Sequence, residues 1–258
     1  MPIDYRHLTT TEAFEQLADL EIVIWQVDPR HAITFHTLHI IVHTGGCVIG
    51  AWDGAQLVGF VIGFAMHDTD RLWSHIAAVH PDYQGRGIGA ALKHRQRDWA
   101  REQGYCVIHW TYDPLMRANA NFNFRHLGVT VTTYHENFYG MMNDGLNAGL
   151  PTDRFQVTWT TDAPATSPAP PADAPFLLTL DADQHPHIAA TPTADWHFVA
   201  IPRDIAALKQ TQAQIAQDWR MTLRRVVQDA LAQGYQVVDF VERSGLDAYA
   251  LYRPPVDQ

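Results

Sequence analysis

The spacing of apolar residues changes several times along the chain. Thr9-Thr10-Thr11-Glu12 has capping-box spacing, and Phe14, Leu17, Leu20 and Ile24 follow three or four residues apart, which predicts a helix with one inward stripe. His36 to His43 predicts a second helix, ended by Gly45-Gly46. The period then shortens. Cys47 to Trp52 and Leu57 to Met66 are apolar, β-branched runs on either side of Asp53-Gly54, a hairpin signal, and Leu72 to Val79 is a third strand. Gly87 to Gln103 returns to helical spacing, with Ile88, Leu92, Arg95 and Trp99 on one stripe and Gly104 as its stop. Tyr105 to Tyr112 predicts a fourth strand, broken by Asp113-Pro114. A short helix from Ala118 to His126 stops at Gly128, and Val129 to Thr133 and Arg154 to Thr161 resume as strands.

Asp162 to Pro175 differs in composition from its surroundings. Pro, Ala, Ser and Thr dominate it, so it reads as a linker or exposed loop. Beyond it, Trp196 to Ile201 predicts a strand and Asp204 an N-cap. A long helix then carries Ile205, Leu208, Ile215, Trp219, Leu223, Val226 and Ala230 at helical spacing up to Gly234. Tyr235 to Val241 and Tyr249 to Tyr252 form a strand pair. The expected organisation is an α/β (α+β) domain over residues 1–161, a linker over 162–175 and a smaller C-terminal α/β unit over 176–258.

Composition narrows the functions open to such a chain. Hydrophobic residues make up 47% of the 258 and charged ones 18%, enough apolar material for a substantial core and too much for global disorder. Eighteen Lys+Arg against 28 Asp+Glu leave a net charge of -10, which argues against a nucleic-acid or anionic-membrane surface. No apolar run approaches the roughly 20 residues of a membrane span, and the first residues lack a secretory pattern. Cys47 and Cys106 form no CxxC pair. A soluble cytoplasmic protein is expected. The 15 histidines are scattered, without HExxH, and the tightest pair, His185 and His187, flanks a proline, so no metal site is expected.

The segment richest in chemistry is Val79-His80-Pro81-Asp82-Tyr83-Gln84-Gly85-Arg86-Gly87-Ile88-Gly89-Ala90. A strand ends there and glycines open an amphipathic helix. Unpaired N–H groups of a first helical turn and the helix dipole favour an anion, and glycines admit a phosphate close to the backbone. A phosphate-bearing cofactor is expected. Gly85-x-Gly87-x-x-Ala90 formally satisfies the dinucleotide fingerprint, but that motif follows its strand directly and opens a parallel sheet. Here five residues intervene and a hairpin precedes.

Gln84-Gly85-Arg86-Gly87-Ile88-Gly89 resembles the Gln/Arg-x-x-Gly-x-Gly/Ala signature of the GNAT acyltransferases, and Ala78-Val79-His80-Pro81-Asp82-Tyr83 resembles the lead-in of that family. The order of elements over 1–161 is similar too. The resemblance implies a mixed, largely antiparallel sheet flanked by helices, with acetyl-CoA or succinyl-CoA as acyl donor and no metal. It implies that the amides of Gly85, Arg86, Gly87, Ile88, Gly89 and Ala90 hold the pyrophosphate, while Ala78 and Val79 meet the pantetheine arm and the thioester carbonyl. Asn119 is a candidate CoA contact. The implied chemistry is direct attack of a neutral amine on the thioester, with a strand N–H stabilising the oxyanion.

The chain departs from that family where many members carry a tyrosine that protonates the leaving sulfur. Phe124 occupies the place here, in Phe124-Arg125-His126-Leu127-Gly128-Val129. Candidates for the acid–base work are His75 on the signature strand, Tyr112 and Asp113 on the next, and Tyr139 in Phe138-Tyr139-Gly140-Met141-Met142-Asn143-Asp144-Gly145-Leu146. That stretch, with Leu150-Pro151-Thr152-Asp153-Arg154, resembles a stand-alone GNAT subgroup with a longer C-terminal region. Asp153 and Arg154 are expected to pair with each other. Arg117, Arg125 and Arg154 are the cations available to a carboxylate-bearing donor or acceptor. The expected function is N-acylation of a small amine, an amino acid above all. The alternative is a CoA-binding regulatory or interaction module without turnover. The C-terminal unit is a candidate for completing the acceptor pocket, for mediating a homodimer, or both.

Overall fold

Thr10 accepts the Ala13 amide at 3.3 Å and starts α1 (Thr11–Trp25), and Thr34 does the same for Thr37 at the head of α2 (Phe35–His43). The computed structural model describes residues 2–26, 28–67, 70–140, 149–162 and 169–255. The chain forms two compact units, Met1–Trp110 with Thr160–Ala163, and Thr111–Trp159 with Pro164–Gln258. The expected boundaries at 161 and 176 follow composition, whereas these units follow packing. Of the expected linker, residues 163–168 lie outside the described residues, as do residues 141–148 of the stretch around Tyr139.

The first unit is built on β1 (Asp4–His7), β2 (Cys47–Asp53), β3 (Gln56–Ala65), β4 (Arg71–Val79) and the first residues of β5 (Val107–Tyr112), in that spatial order. The pairs are antiparallel except β4–β5. Side chains alternate across the sheet. Phe60 and Ile62 of β3 join Phe14, Leu17 and Leu20 of α1 and Leu38 and Ile41 of α2 in one buried cluster. On the other face lies α3 (Ile88–Glu102), and β3 presents glycines to it. A Cβ on Gly59 would come 3.2 Å from Leu92, and one on Gly63 2.9 Å from Gln96.

The buried stripe of α3 is Ile88, Leu92, Lys93, Gln96 and Ala100. Arg95 and Trp99 of the expected stripe lie at its flank, beside Tyr5 and His7 of β1, because an i, i+4, i+8, i+12 row from Ile88 carries the helix onto β3, and that row includes a glutamine. Apolarity alone therefore misjudged the inward face.

In the second unit the strand order is β7 (Arg154–Thr160), β6 (Thr130–His135), β11 (Gln236–Arg243), β12 (Leu246–Tyr252), β10 (Trp196–Ala200), β8 (Phe176–Leu180) and β9 (Pro186–Ile188). Only β10–β8 is parallel among the described pairs of this unit. The expected long helix is two: α5 (Ile205–Thr211), capped by Asp204, and α6 (Ala213–Ala232), divided at Gln212, whose φ of −146° and ψ of 62° are not helical. The short helix near 118–126 is α4 (Arg117–Asn121), continued as one π-helical stretch to Leu127 and closed by Gly128 at φ 69°. Strands β1, β8 and β9 were not legible in the pattern. Each has five residues or fewer, too short for alternation to stand out.

Both units are mixed α/β structures with largely antiparallel sheets, as expected. Among the described residues no helix is long and apolar enough to cross a membrane.

One glycine joins α2 to the sheet. Gly46 donates to Ile41 O at 2.8 Å, and a Cβ there would lie 2.3 Å from Gly63 O and 2.8 Å from Ile41 O. Backbone atoms on both sides would have to move. Gly46→Ala is expected to lose about 2 kcal/mol or more of unfolding free energy in urea titration; an unchanged midpoint would contradict this packing.

Candidate functional site

The signature strand is paired fully on one edge and briefly on the other. With β3 it keeps an antiparallel ladder from Leu72↔Ala65 to Val79↔Gly59. With β5 it forms only three rungs, Arg71↔Val107, Leu72↔Ile108 and Trp73↔His109. Beyond Trp73 the strands part as a fork. In an antiparallel pair alternate residues direct N–H and C=O away from the partner, so residues 74–79 keep a row of backbone groups facing the fork. An extended, amide-bearing arm can add to that edge as a strand does. Ala78 and Val79 lie at its far end.

The loop that follows is held from within. His80 Nδ1 accepts the Asp82 amide at 3.2 Å, Gln84 Nε2 donates to Val79 O at 3.2 Å, and Tyr83 OH donates to Asp53 Oδ2 at 2.9 Å. Arg86 turns back, donating Nη2 to Asp82 O at 2.7 Å with its guanidinium 4.8 Å over the Tyr83 ring. Gly85 and Gly87 have φ of 73° and 79°, the left-handed region that costs other residues about 1 kcal/mol or more. Gly87 caps α3 without a side-chain bond, and the first helical bond is Ala91 N to Gly87 O at 3.0 Å. The amides of Ile88, Gly89 and Ala90 precede it in the first turn, where the dipole favours an anion. No atom lies within 4 Å of a Cβ built on Gly85 or Gly87. These residues therefore fit a pyrophosphate: open space, uncapped amides and a nearby cation.

Residues 10–128 match the acetyltransferase (GNAT) family. Over that stretch the chain belongs to the GNAT superfamily. Among curated proteins none matches the chain in sequence. Solved structures show the same fold. A GNAT-family protein from Desulfovibrio desulfuricans is 15% identical with a TM-score of 0.52, covering 62% of this chain and 99% of its own. The ribosomal-protein-S18-alanine N-acetyltransferase of Escherichia coli is 16% identical, TM-score 0.50, covering 65% of this chain and 99% of its own. A Salmonella typhimurium protein solved with its cofactor acetyl-CoA is 19% identical, TM-score 0.51, covering 66% of this chain and 99% of its own.

In the first unit, His75 is the extra residue of a β-bulge, since Ile62 pairs with Ile76 and Gly63 with Ser74. The residue is exposed, with its ring 5.2 Å from that of Phe64 and inclined to it at 73°. Desolvation lowers its pKa from the usual histidine value and favours the neutral imidazole. That is the form able to accept a proton.

The other sequence candidates belong to the second unit. Tyr112 is 5% exposed; its hydroxyl donates to Tyr249 OH at 3.2 Å, and Tyr249 OH donates to Pro114 O at 2.7 Å. Burial drives the Tyr112 pKa far above 10, which suits a packed neutral phenol. Asn119 is exposed on α4, inside the helix rather than at its cap. Tyr139 is half-exposed, with its hydroxyl 3.4 Å from Thr111 Oγ1 and the Arg154 guanidinium 5.3 Å over its ring. Phe124 is buried against Tyr249.

Asp153 and Arg154 do not form the expected pair. Asp153 is fully buried and takes two bonds from Arg224 at 2.7 and 2.9 Å, one from Tyr134 OH at 2.6 Å and one from Asn137 N at 3.0 Å. Burial raises its pKa, but those donors outweigh it and hold the carboxyl below its usual range. Arg154 donates to Asp153 O instead. Asp113 accepts from Leu115 N at 2.9 Å, a turn-forming bond, and from Arg220 Nη2 at 2.6 Å. Arg220 and Arg224 sit on α6, more than 60 residues away in sequence, and no local pattern announces these bonds. Arg117 is bound to Asp247 at 2.5 Å. Among the described residues no three His, Cys, Asp or Glu side chains stand close enough to share a metal ion.

The His75 environment makes a direct prediction. Its imidazole titrates below 6.5 in proton NMR, and Phe64→Ala, by admitting water, moves the value up toward 6.5. A His75 pKa at or above 6.5 in the wild type would contradict that desolvation.

Proposed function

We propose that this protein is an acyl-CoA-dependent N-acyltransferase that transfers an acetyl or succinyl group directly to the amine of a small molecule, an amino acid in the first instance. The observation that supports it most is the conjunction of the open β4 edge with the uncapped first turn of α3. Acyl-CoA supplies an activated acyl thioester. The amides of Gly85 to Ala90 hold its diphosphate, and the edge at Ala78 and Val79 orients the pantetheine arm and the carbonyl. A backbone N–H on that edge takes up negative charge as the amine attacks.

The amine attacks in its neutral form, and His75, whose desolvation favours the neutral imidazole, accepts the proton that the nitrogen sheds as the C–N bond forms. The new C–N bond forms as the C–S bond breaks, and the sulfur leaves as thiolate. Tyr139, the candidate phenol with an exposed hydroxyl, is assigned on chemistry alone as the donor to that sulfur. Tyr112 is assigned to packing. Asn119 remains a candidate CoA contact by virtue of its exposure. The acidic balance of the chain supports a small acceptor rather than a nucleic acid. Phe124 in place of the family's tyrosine supports a second reading, a CoA-binding module without turnover.

Free-thiol release from acetyl-CoA and from succinyl-CoA, over a panel of D- and L-amino acids and simple amines, separates the two readings. The wild type should release thiol only when an acceptor is present. Gly87→Glu should abolish this by placing a carboxylate where the diphosphate binds. His75→Gln should lower kcat by about 10²-fold or more, the usual size of a general-base contribution. CoA binding without release for any acceptor would favour the module; release unaffected by Gly87→Glu would remove the donor site from this loop.

A further inference from the structure

The helix that opens on the signature glycines also carries an amine into the core. Lys93 is 2% exposed; its Nζ donates to Ser74 Oγ at 2.7 Å and to Gln96 Oε1 at 3.0 Å, and stands 3.7 Å from the centre of the Trp110 ring. Ser74 and Trp110 are the first residues of β4 and β5 beyond their last rung, Trp73↔His109. One side chain therefore touches both prongs of the fork at its root. It hangs from the helix whose first turn faces the expected diphosphate.

An ammonium has three N–H bonds, and Ser74 Oγ, Gln96 Oε1 and the Trp110 face are three acceptors. A neutral amine has two. Among the described residues, Cys47 on β2 is a titratable group acting on Lys93 from the sheet, and it accepts from Gln96 Nε2 at 3.6 Å. Burial pushes that thiol up to about 11, so it is uncharged near neutrality. Burial also pushes Lys93 down to about 7, so its proton is exchanged under ordinary conditions.

We propose that Lys93 is a positioning residue for the acyl donor: its protonated amine ties the two prongs together at the fork root, and donor binding is coupled to uptake of that proton. The inference rests on the acyl-donor reading of the loop. Ala90, the last residue of the expected diphosphate cradle, precedes Lys93 by three residues, about 4.5 Å along a helix axis. An anion at the N-terminus of α3 favours the charged amine, and by reciprocity the charged amine favours the anion. The sign follows. Below pH 7 the amine is already charged and binding takes up nothing. Above pH 7 binding must recruit a proton, so affinity falls as pH rises until the pKa of the complex is passed.

The test is titration calorimetry of the full chain with CoA in buffers of different ionisation enthalpy, comparing wild type, Lys93→Met and Lys93→Gln. A rise of one unit in the Lys93 pKa gives uptake of about half a proton per CoA at pH 7.5, and a Kd that weakens about eightfold from pH 6 to pH 9. Both variants should show neither, beyond the titration of CoA's own phosphate, which is common to all three proteins. A merely structural lysine would change affinity or stability without removing proton uptake. Lys93→Gln, which keeps a polar side chain, guards against a folding defect in Lys93→Met. Equal uptake in wild type and in a folded variant, or no uptake in wild type that binds CoA, would overturn the inference alone. Wild type that binds no CoA would overturn the donor reading beneath it.

Discussion

The β4–β5 pair has parallel rungs only at residues 71–73 of β4 and 107–109 of β5. A strand of nine residues is thereby left with one edge unpaired to a neighbouring strand over most of its length. Unpaired backbone groups are costly when they lack partners, and a partner of the right form is an extended chain of amides. Everything proposed for the first unit depends on that parting. It creates the edge at Ala78 and Val79, leaves the bulged His75 beside it, and delivers the chain into the glycine loop.

The loop and the helix then solve an electrostatic problem. Diphosphate binding needs donors and positive potential without a crowd of side chains. Two left-handed glycines and an uncapped helical turn supply donors and space, while the folded-back Arg86 keeps its charge close. The same helix then packs tightly on β3, against Gly59 and Gly63, and the room left by Gly63 is taken by Gln96 and Cys47. A polar cluster in a core is stable when its members satisfy one another. Here Lys93, Gln96, Ser74 and Cys47 do so at the place where the strands part.

Much of this was legible in the residues, and the reasons for what was missed are physical. The glycine junction is a local device, so Gly85 to Ala90 announced the loop, the helix start and the family together, and the anion site read from them is the one proposed. The start at Asp204 is also local, since its carboxylate bonds an amide three residues on; the caps at Thr10 and Thr34 bond in the same way, one residue past the Thr9 start of the capping-box spacing and ahead of the expected His36 start. The fork was not legible, because it depends on how far two strands whose paired residues are 36 apart stay in register. Lys93 and Gln96 were hidden by a rule of thumb that places polar residues outside. The row Ile88, Leu92, Gln96, Ala100 would have revealed them. Arg220 and Arg224 bind carboxylates set by tertiary structure, which is why Asp153 was assigned to its sequence neighbour Arg154 rather than to Arg224.

The most direct test of the central claim is residue-resolved backbone amide hydrogen exchange of the full chain with and without CoA. The account predicts that CoA slows exchange at Ile88, Gly89 and Ala90 and at alternate residues of 76–79 on the free edge of β4. Protection confined to other parts of the chain, with these amides exchanging as before, would contradict it.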